Sequence, residues 1–434
     1  MKPKQLIRLV AWFPTIFIFI LTVSDSARAV PHKYHILHAF QGGIDGAQPT
    51  GSLVVDAVGN LYGSTAQGGS GQCQSNGTIV GCGTVFELSP PTGGKKYWTK
   101  TLLYDFQGSD GNSPSPLIAD SAGNLYGVTE FGGNGQCNLY QIPGCGTVFE
   151  LSPGAGAWTE TILYNFQGSS DGELPAVALV NDSAGNLYGT TMLSGGSNPG
   201  IVFELSPPGG GGGWTESILF FGFGNQLPDG LYASLILDQK GNLYSTSVNG
   251  GAYDAGTVFE LSPPIVKGGA WTETTLYSFD SYIGPVSPVI FDGKGNLFGT
   301  LFEGGLWGQV FELSPPKNKG GDWTESVLYS FAGGTAGLNP FAGLVFDQAG
   351  NLYGNTYGDD GMDPVVFGTV YKLIPRAKGS WGENLLHEFE DDPAEFPVGK
   401  LVFGLQGDLY GAAAGGNSSA PGGVVFSISF GMDR

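Results

Sequence analysis

The chain has 434 residues and a formal net charge of −20 at pH 7, with 41% hydrophobic and only 13% charged residues. An acidic balance of that size argues against nucleic acid or anionic membrane surfaces as partners. Its 75 Gly and 27 Pro would suggest low complexity if scattered, but most of the Gly recurs at fixed places beside aromatic and β-branched runs, which excludes disorder.

The first 29 residues have the layout of a secretory signal peptide. Lys2, Lys4 and Arg8 make a basic start, Leu9 to Val23 is apolar, and Ala27-Arg28-Ala29 is a small-x-small cleavage site. The apolar run contains Pro14 and has 15 residues, short of the ~20 that span a bilayer. Cleavage after Ala29 is expected to leave residues 30–434 as a secreted protein, extracellular or periplasmic, with no membrane insertion. Loss of four basic residues and Asp25 takes its charge from −20 to −23.

The mature chain is organised by the segment Gly-Asn-Leu-Tyr-Gly at 59–63. It returns at 123–127, 185–189, 241–245 (ending in Ser), 295–299 (with Phe for Tyr), 350–354 and 407–411 (with Asp for Asn), at spacings of 64, 62, 56, 54, 55 and 57 residues. Self-similarity at this period points to a propeller or a solenoid. Each unit holds four short runs with strand composition. Run a is aliphatic with small residues at its start, as in 51–56. Run b is Asn-Leu-Tyr-Gly-Thr-Thr or a variant, run c is Thr-Val-Phe-Glu-Leu, and run d starts at Trp and ends in aromatics, as in 158–166. Asp-x-x-Gly-Asn joins a to b from Asp56, Asp120, Asp182, Asp238, Asp292 and Asp347. These are hairpin turns, in which Asp bonds its own downstream backbone and Gly and Asn accept positive φ. A calcium loop would need a bidentate Glu that does not follow.

Counting runs separates propeller from solenoid. The mature chain opens on Tyr34 to Phe40, a run d with no preceding a, b or c, and it ends with a, b and c lacking a d. Seven complete units result only if the first strand joins the last sheet. The expected fold is therefore all-β, a seven-bladed β-propeller of four-stranded antiparallel blades, closed by the N-terminal strand joining the C-terminal blade. The four cysteines, Cys73 and Cys82 then Cys137 and Cys145, lie at the same place in successive units. That equivalence favours Cys73–Cys82 and Cys137–Cys145 disulfides; the spacings do not suit zinc.

The pattern of Gly185 to Thr191 followed by a Gly-Gly loop and by Gly-Thr-Val-Phe-Glu-Leu, as at 256–261, resembles the choice-of-anchor tandem repeat GloVer-containing proteins, a family of exported bacterial proteins. The likeness covers about residues 33–430. It implies secretion and tandem repeats and assigns no activity. The family name refers to varied C-terminal anchors; Phe430-Gly-Met-Asp-Arg434 matches none, so anchoring of that kind is not expected.

Chemistry-bearing residues are few. His38 and His387 stand where other d runs carry Tyr or Phe, which makes them packed rings rather than bases, and His32 and His35 lie at the exposed start of the mature chain. Glutamates recur in run c (Glu87, Glu150, Glu204, Glu260, Glu312) and run d (Glu160, Glu216, Glu273, Glu325, Glu383). Their periodicity suggests a solvated outer stripe rather than the paired acids of a glycosidase. Exchange of Glu87 with Lys100 for Lys372 with Glu383 suggests pairing between c and d. No nucleophile elbow, P-loop, zinc-protease or dinucleotide motif is present, and no cofactor or metal is expected. The readings that remain are a monomeric, non-enzymatic binding module for a glycan, peptide or protein; a structural envelope scaffold; and a glycan-active hydrolase or lyase with its site at the channel mouth. Strand alternation puts the b–c and d–a connections on one face. The b–c loops vary most and carry Phe131, Tyr140, Tyr253, Trp307 and Tyr357, with Asp359 and Asp360 beside the last; the d–a loops add Asp45, Asp110, Asp171 and Asp229. Variable loops on a rigid scaffold are where binding resides, so any ligand is expected there. The competing account is that the Asp-Gly pairs are turns and the aromatics pack under their loops.

Overall fold

The computed structural model describes residues 32–431, except for residues 76, 169–170, 195–198, 211, 223–230, 267, 281–283, 303–306, 319, 335–336, 359–366, 390–393 and 417–419. The expected signal peptide, Asp229, Asp359 and Asp360 fall outside the described residues.

Each repeat becomes one antiparallel sheet in the order a-b-c-d because its own side chains close its turns. In the first a–b turn, Asp56 Oδ1 accepts the backbone N–H groups of Val58 and Asn60, both at 2.9 Å. Its Oδ2 accepts Asn60 Nδ2 at 2.8 Å and the Tyr62 hydroxyl at 3.2 Å. The same set forms around Asp120, Asp182, Asp238 and Asp347. A carboxylate so fully occupied has no capacity left for a calcium ion, which settles these segments as turns.

Blade 1 comprises a (Ala47–Pro49 and Val54–Val55), b (Leu61–Gln67), c (Thr84–Ser89) and d (Thr99–Asp105). The pattern repeats through blade 6, whose d strand is Trp381–Glu388. Blade 7 is built from Glu395–Phe403, Leu409–Gly415, Val424–Phe430 and, as its d strand, His32–Ala39. His32 lies opposite Phe430 and Ala39 opposite Val424, so the first strand closes a seven-bladed propeller.

Packing explains the repeated letters. A Cβ on Gly189 would stand 2.5 Å from Cζ of Phe203 and 2.8 Å from Leu179. The last Gly of the motif is thus the floor on which the aromatic of strand c and the aliphatic of strand a meet; Gly63, Gly127 and Gly411 do the same under Phe and Leu, Gly299 under Phe311 and Val289, and Gly354 under Tyr371 and Leu344. The next blade-to-blade contact uses the Phe that ends strand d. Phe40–Phe86, Phe106–Phe149, Phe166–Phe203, Phe279–Phe311, Phe331–Tyr371 and Phe389–Phe426 sit at ring separations of 5.1 to 5.5 Å. Edge-on geometry of this kind adds about 0.5–1.5 kcal/mol per pair beyond burial. Toward the axis, a polar side chain of strand b donates to strand a of the next blade: Ser64 Oγ to Ser115 O at 2.6 Å, Thr246 Oγ1 to Ser287 O at 3.1 Å, Asn355 Nδ2 to Gly399 O at 3.0 Å.

Three expectations about charge and rings meet the structure here. His387 stacks on Tyr34 at 3.8 Å, and burial lowers its pKa to about 4, as a packed ring requires. The c–d charge pairing is not formed. Lys100 lies opposite Leu88 rather than Glu87, and its Nζ donates to Asp45; Lys372 meets Asp347 at 3.7 Å. Adjacent residues on a strand point to opposite faces, so the one-residue offset separates them. The d-strand glutamates are also not a plain solvated stripe. Glu160 and Glu216 are half-buried against the preceding d–a loops, each with an oxygen that lacks a hydrogen-bond partner among the described residues.

Candidate functional site

The d–a aspartates serve their own loops. Asp45 accepts Gln41 N at 2.9 Å and holds Lys100 at 3.0 Å and His38 at 3.1 Å. Asp110 accepts Gln107 N at 2.8 Å and the Tyr104 hydroxyl at 2.7 Å, and Asp171 accepts Gln167 N at 2.9 Å and the Tyr164 hydroxyl at 3.1 Å. Where blade 1 places Lys100 beside Asp45, blades 2 and 3 place Glu160 beside Asp110 and Glu216 beside Asp171. Burial first, then the neighbouring Asp charge, raises both glutamates to about 7. Their folded pKa exceeds the unfolded value, so their protonated form stabilises the fold. That contribution is full below pH ~4.5 and is lost as pH rises through about 7. Glu160→Gln is therefore expected to leave stability at pH 4 unchanged and to raise it at pH 8 by about 1 kcal/mol, after screening of a half-exposed group. Urea unfolding at the two pH values checks this; equal gains at both would contradict it.

The b–c loops vary in what they do with their aromatics. Phe131 is buried against Leu174 and Leu193. Trp307 is partly buried and lies flat beside Gly333. Tyr140 and Tyr253 are open to solvent at 80% and 67% exposure. Both disulfides, Cys73–Cys82 and Cys137–Cys145, are formed within their loops. Tyr357 is different: it stacks on Phe396 at 5.2 Å and lies 6.2 Å from Phe341, which is itself 6.1 Å from Phe302. Phe396 carries a left-handed φ of 56° before a proline, as Gln48, Ser113, Leu174 and Asn339 do before theirs in four other blades. The scaffold sets that bend, and each of these five blades presents a different side chain from it.

This aromatic row borders the central channel. A cavity of about 330 Å³ opens there, walled by strand a of all seven blades and by the b-strand ends Ala66 and Ala414, hence toward the b–c and d–a face. None of the eight described loop residues singled out from sequence lines it; Tyr357 reaches it through Phe341, which does. The residue just before the buried aliphatic of strand a faces the channel in every blade: Ser52, Pro116, Ala178, Ser234, Pro288, Gly343 and Lys400. Six are uncharged and the seventh is a lysine. Among the described residues, Lys400 is the one charged residue of the lining. Its side chain is in contact with channel solvent, but the surrounding walls desolvate the ammonium and lower its pKa. Its backbone N–H donates to Ser52 Oγ at 2.9 Å across the closure seam, where Gly51 and Gly399 approach too closely for any Cβ. Among the described residues no three His, Cys, Asp or Glu side chains are placed to hold a metal ion.

Sequence reasoning passed over Lys400 because run a reads as core strand, and over Phe341 and Tyr232 because they stand just before run a. Aligning the seven a runs on their buried aliphatic is the signal that exposes the odd lysine.

The repeat that builds this ring is matched by a family model, the Gloeobacter/Verrucomicrobia repeat, over residues 18–220, 71–288, 143–363 and 231–432. The chain belongs to the Gloeobacter/Verrucomicrobia repeat family. The GloVer resemblance carried by Gly-Asn-Leu-Tyr-Gly and Thr-Val-Phe-Glu-Leu is this membership. No curated protein matches this repeat protein. Solved structures similar to it include a protein of unknown function from Dyadobacter fermentans (12% identity, TM-score 0.44, covering 92% of this chain and 98% of that one). Others are the NanB sialidase of Streptococcus pneumoniae (9%, 0.43, 91% and 70%) and a putative 6-phosphogluconolactonase of Bacteroides uniformis (12%, 0.49, 83% and 98%). At such identities and scores the likenesses assign neither activity nor ligand to the GloVer chain. Among its described residues no helix is long and apolar enough to cross a membrane.

Proposed function

We propose that this protein is an exported, non-enzymatic binding module whose ligand, a glycan, docks on the b–c and d–a face over the mouth of the central channel. The observation that carries the reading is the double role of Phe341. It is 44% exposed, it forms part of the channel wall, and it sits between Phe302 and Tyr357 in the aromatic row. Exposed rings beside a concave site offer apolar faces of the kind that sugar C–H edges cover, with few conformational degrees of freedom to lose. The a–b turns on the opposite face repeat nearly letter for letter and are saturated by their own hydrogen bonds, as scaffold turns are. Export is supported by the basic, apolar and small-x-small order of residues 1–29 and by two disulfides.

A glycan array on the purified protein tests the proposal. Phe341→Ala and Tyr357→Ala are expected to weaken the glycan retained by at least about ten-fold, the loss of one stacking contact of roughly 1.4 kcal/mol. Lys294→Ala and Gln348→Ala, in a groove on the opposite face, are expected to leave binding unchanged. Loss only from the second pair, with folding intact, would reverse the assignment of the face.

A further inference from the structure

We propose that the central channel is a binding site for a small carboxylate, with Lys400 supplying the counter-charge; this deepens the binding reading above and rests on it. Seven equivalent positions ring the channel, and the fold needs no charge at any of them, since Ser, Pro, Ala and Gly serve in the other six blades. An ammonium there stays open to channel water, but it stands among walls built largely of Ala, Val, Pro and Phe, which cut back its bulk hydration. Desolvating a charge is unfavourable unless a partner compensates it, and no ion pair or hydrogen bond to Lys400 Nζ is formed among the described residues. An anion entering the channel supplies that partner. The hydroxyls of Ser52 and Ser234 stand at the same level of the ring, and among the described residues the only other ionisable group of the wall is Tyr232. The cavity of about 330 Å³ lies at the small end of ligand sites, about 300–1,000 Å³, which suits a single ring or a short acid rather than a chain threaded through. The net charge of −20 repels anions at long range. Salt screens that field within about 8 Å, so contact with Lys400 decides the outcome inside the channel.

Alanine and valine methyl groups wall the channel, among them Ala176, Ala178 and Ala414, and methyl NMR spectra report any ligand that enters. The intact protein is titrated with propionate and galacturonate, and with the neutral counterparts propionamide and galactose. The carboxylates are expected to shift these methyls and the neutral probes to bind at least ten-fold more weakly. Lys400→Met, which keeps the length and removes the charge, is expected to abolish the difference, and Lys400→Arg to retain it; thermal melts confirm that both variants fold. Carboxylate binding undiminished in Lys400→Met overturns the inference, as does a channel that takes no carboxylate. If galactose shifts the methyls as well as galacturonate does, the carboxylate inference fails while the glycan-binding reading stands. If the carboxylates bind as expected but Phe341→Ala and Tyr357→Ala leave glycan retention intact, the glycan reading fails alone.

Discussion

Removal of residues 32–40 is expected to collapse the propeller rather than trim it. The strand His32–Ala39 is the only d strand of blade 7 and pairs along the whole of Val424–Phe430. Without it that strand becomes an exposed edge with unpaired N–H and C=O groups, a template for aggregation. Two packing contacts leave with it. Phe40 is fully buried and meets Phe86 of blade 1 at 5.2 Å, so it joins blade 7 to blade 1. Tyr34 lies 3.8 Å from the His387 ring and 5.6 Å from Phe426, so it joins blade 7 to blade 6. Phe40→Ala alone should cost about 3–5 kcal/mol. Loss of the whole strand should therefore exceed most of the 5–15 kcal/mol margin of an ordinary domain. Circular dichroism melts and gel filtration measure this: the expected results are a broad, low transition and soluble aggregates. A truncated chain that melts with the intact protein would mean that the ring is held shut by other contacts. Phe221→Ala, on an exposed part of another d strand, is the matched control and should change little.

The second large effect is expected from adding one methyl group. Gly189→Ala places a Cβ 2.5 Å from the Phe203 ring and 2.8 Å from Leu179, both in the core. Neither neighbour is a flexible surface end, so the overpacking should cost about 1–3 kcal/mol. Phe203→Leu in the same chain should recover part of the loss, because it removes the ring that the methyl strikes. Blade 4 supports the steric account by its exception. There Ser245 replaces the glycine, and Gly222 of blade 3 stands where the other blades present the Phe that ends strand d. The blade 3 ring that meets Phe259 is instead Phe220, tilted and farther off at 5.8 Å, so Phe259 is packed differently in the blade that carries a Cβ at this position. Ser245→Ala should cost only the hydroxyl's shared hydrogen bond to Ala233 O and Ser234 O, about 1 kcal/mol. Denaturant midpoints of the three variants check the set. A Gly189→Ala protein as stable as the parent would remove the reason given for the repeated glycine.

Sequence and structure divide along a physical line. What rests on local chemistry was legible in the letters. The a–b turns follow from Asp and Gly-Asn, whose bonds close within six residues, and strand identity follows from composition and spacing. Closure by the first strand followed from counting, because a ring needs as many d strands as a strands. The equivalence of the two cysteine pairs sufficed for the disulfides. What rests on the approach of distant chain segments was not legible. Lys100 chose Asp45, 55 residues away in sequence, over Glu87 on the adjacent strand because strand pleating turns neighbouring side chains to opposite faces. The d-strand glutamates were half-buried by loops of the preceding blade, which no single repeat contains. The channel is the clearest case. Alternate residues of strand a face the blade core on one side, and the other side is solvent in any isolated blade. Only when seven blades close around one axis does that second side become the wall of a cavity, and only then does Lys400 become a lone charge inside it.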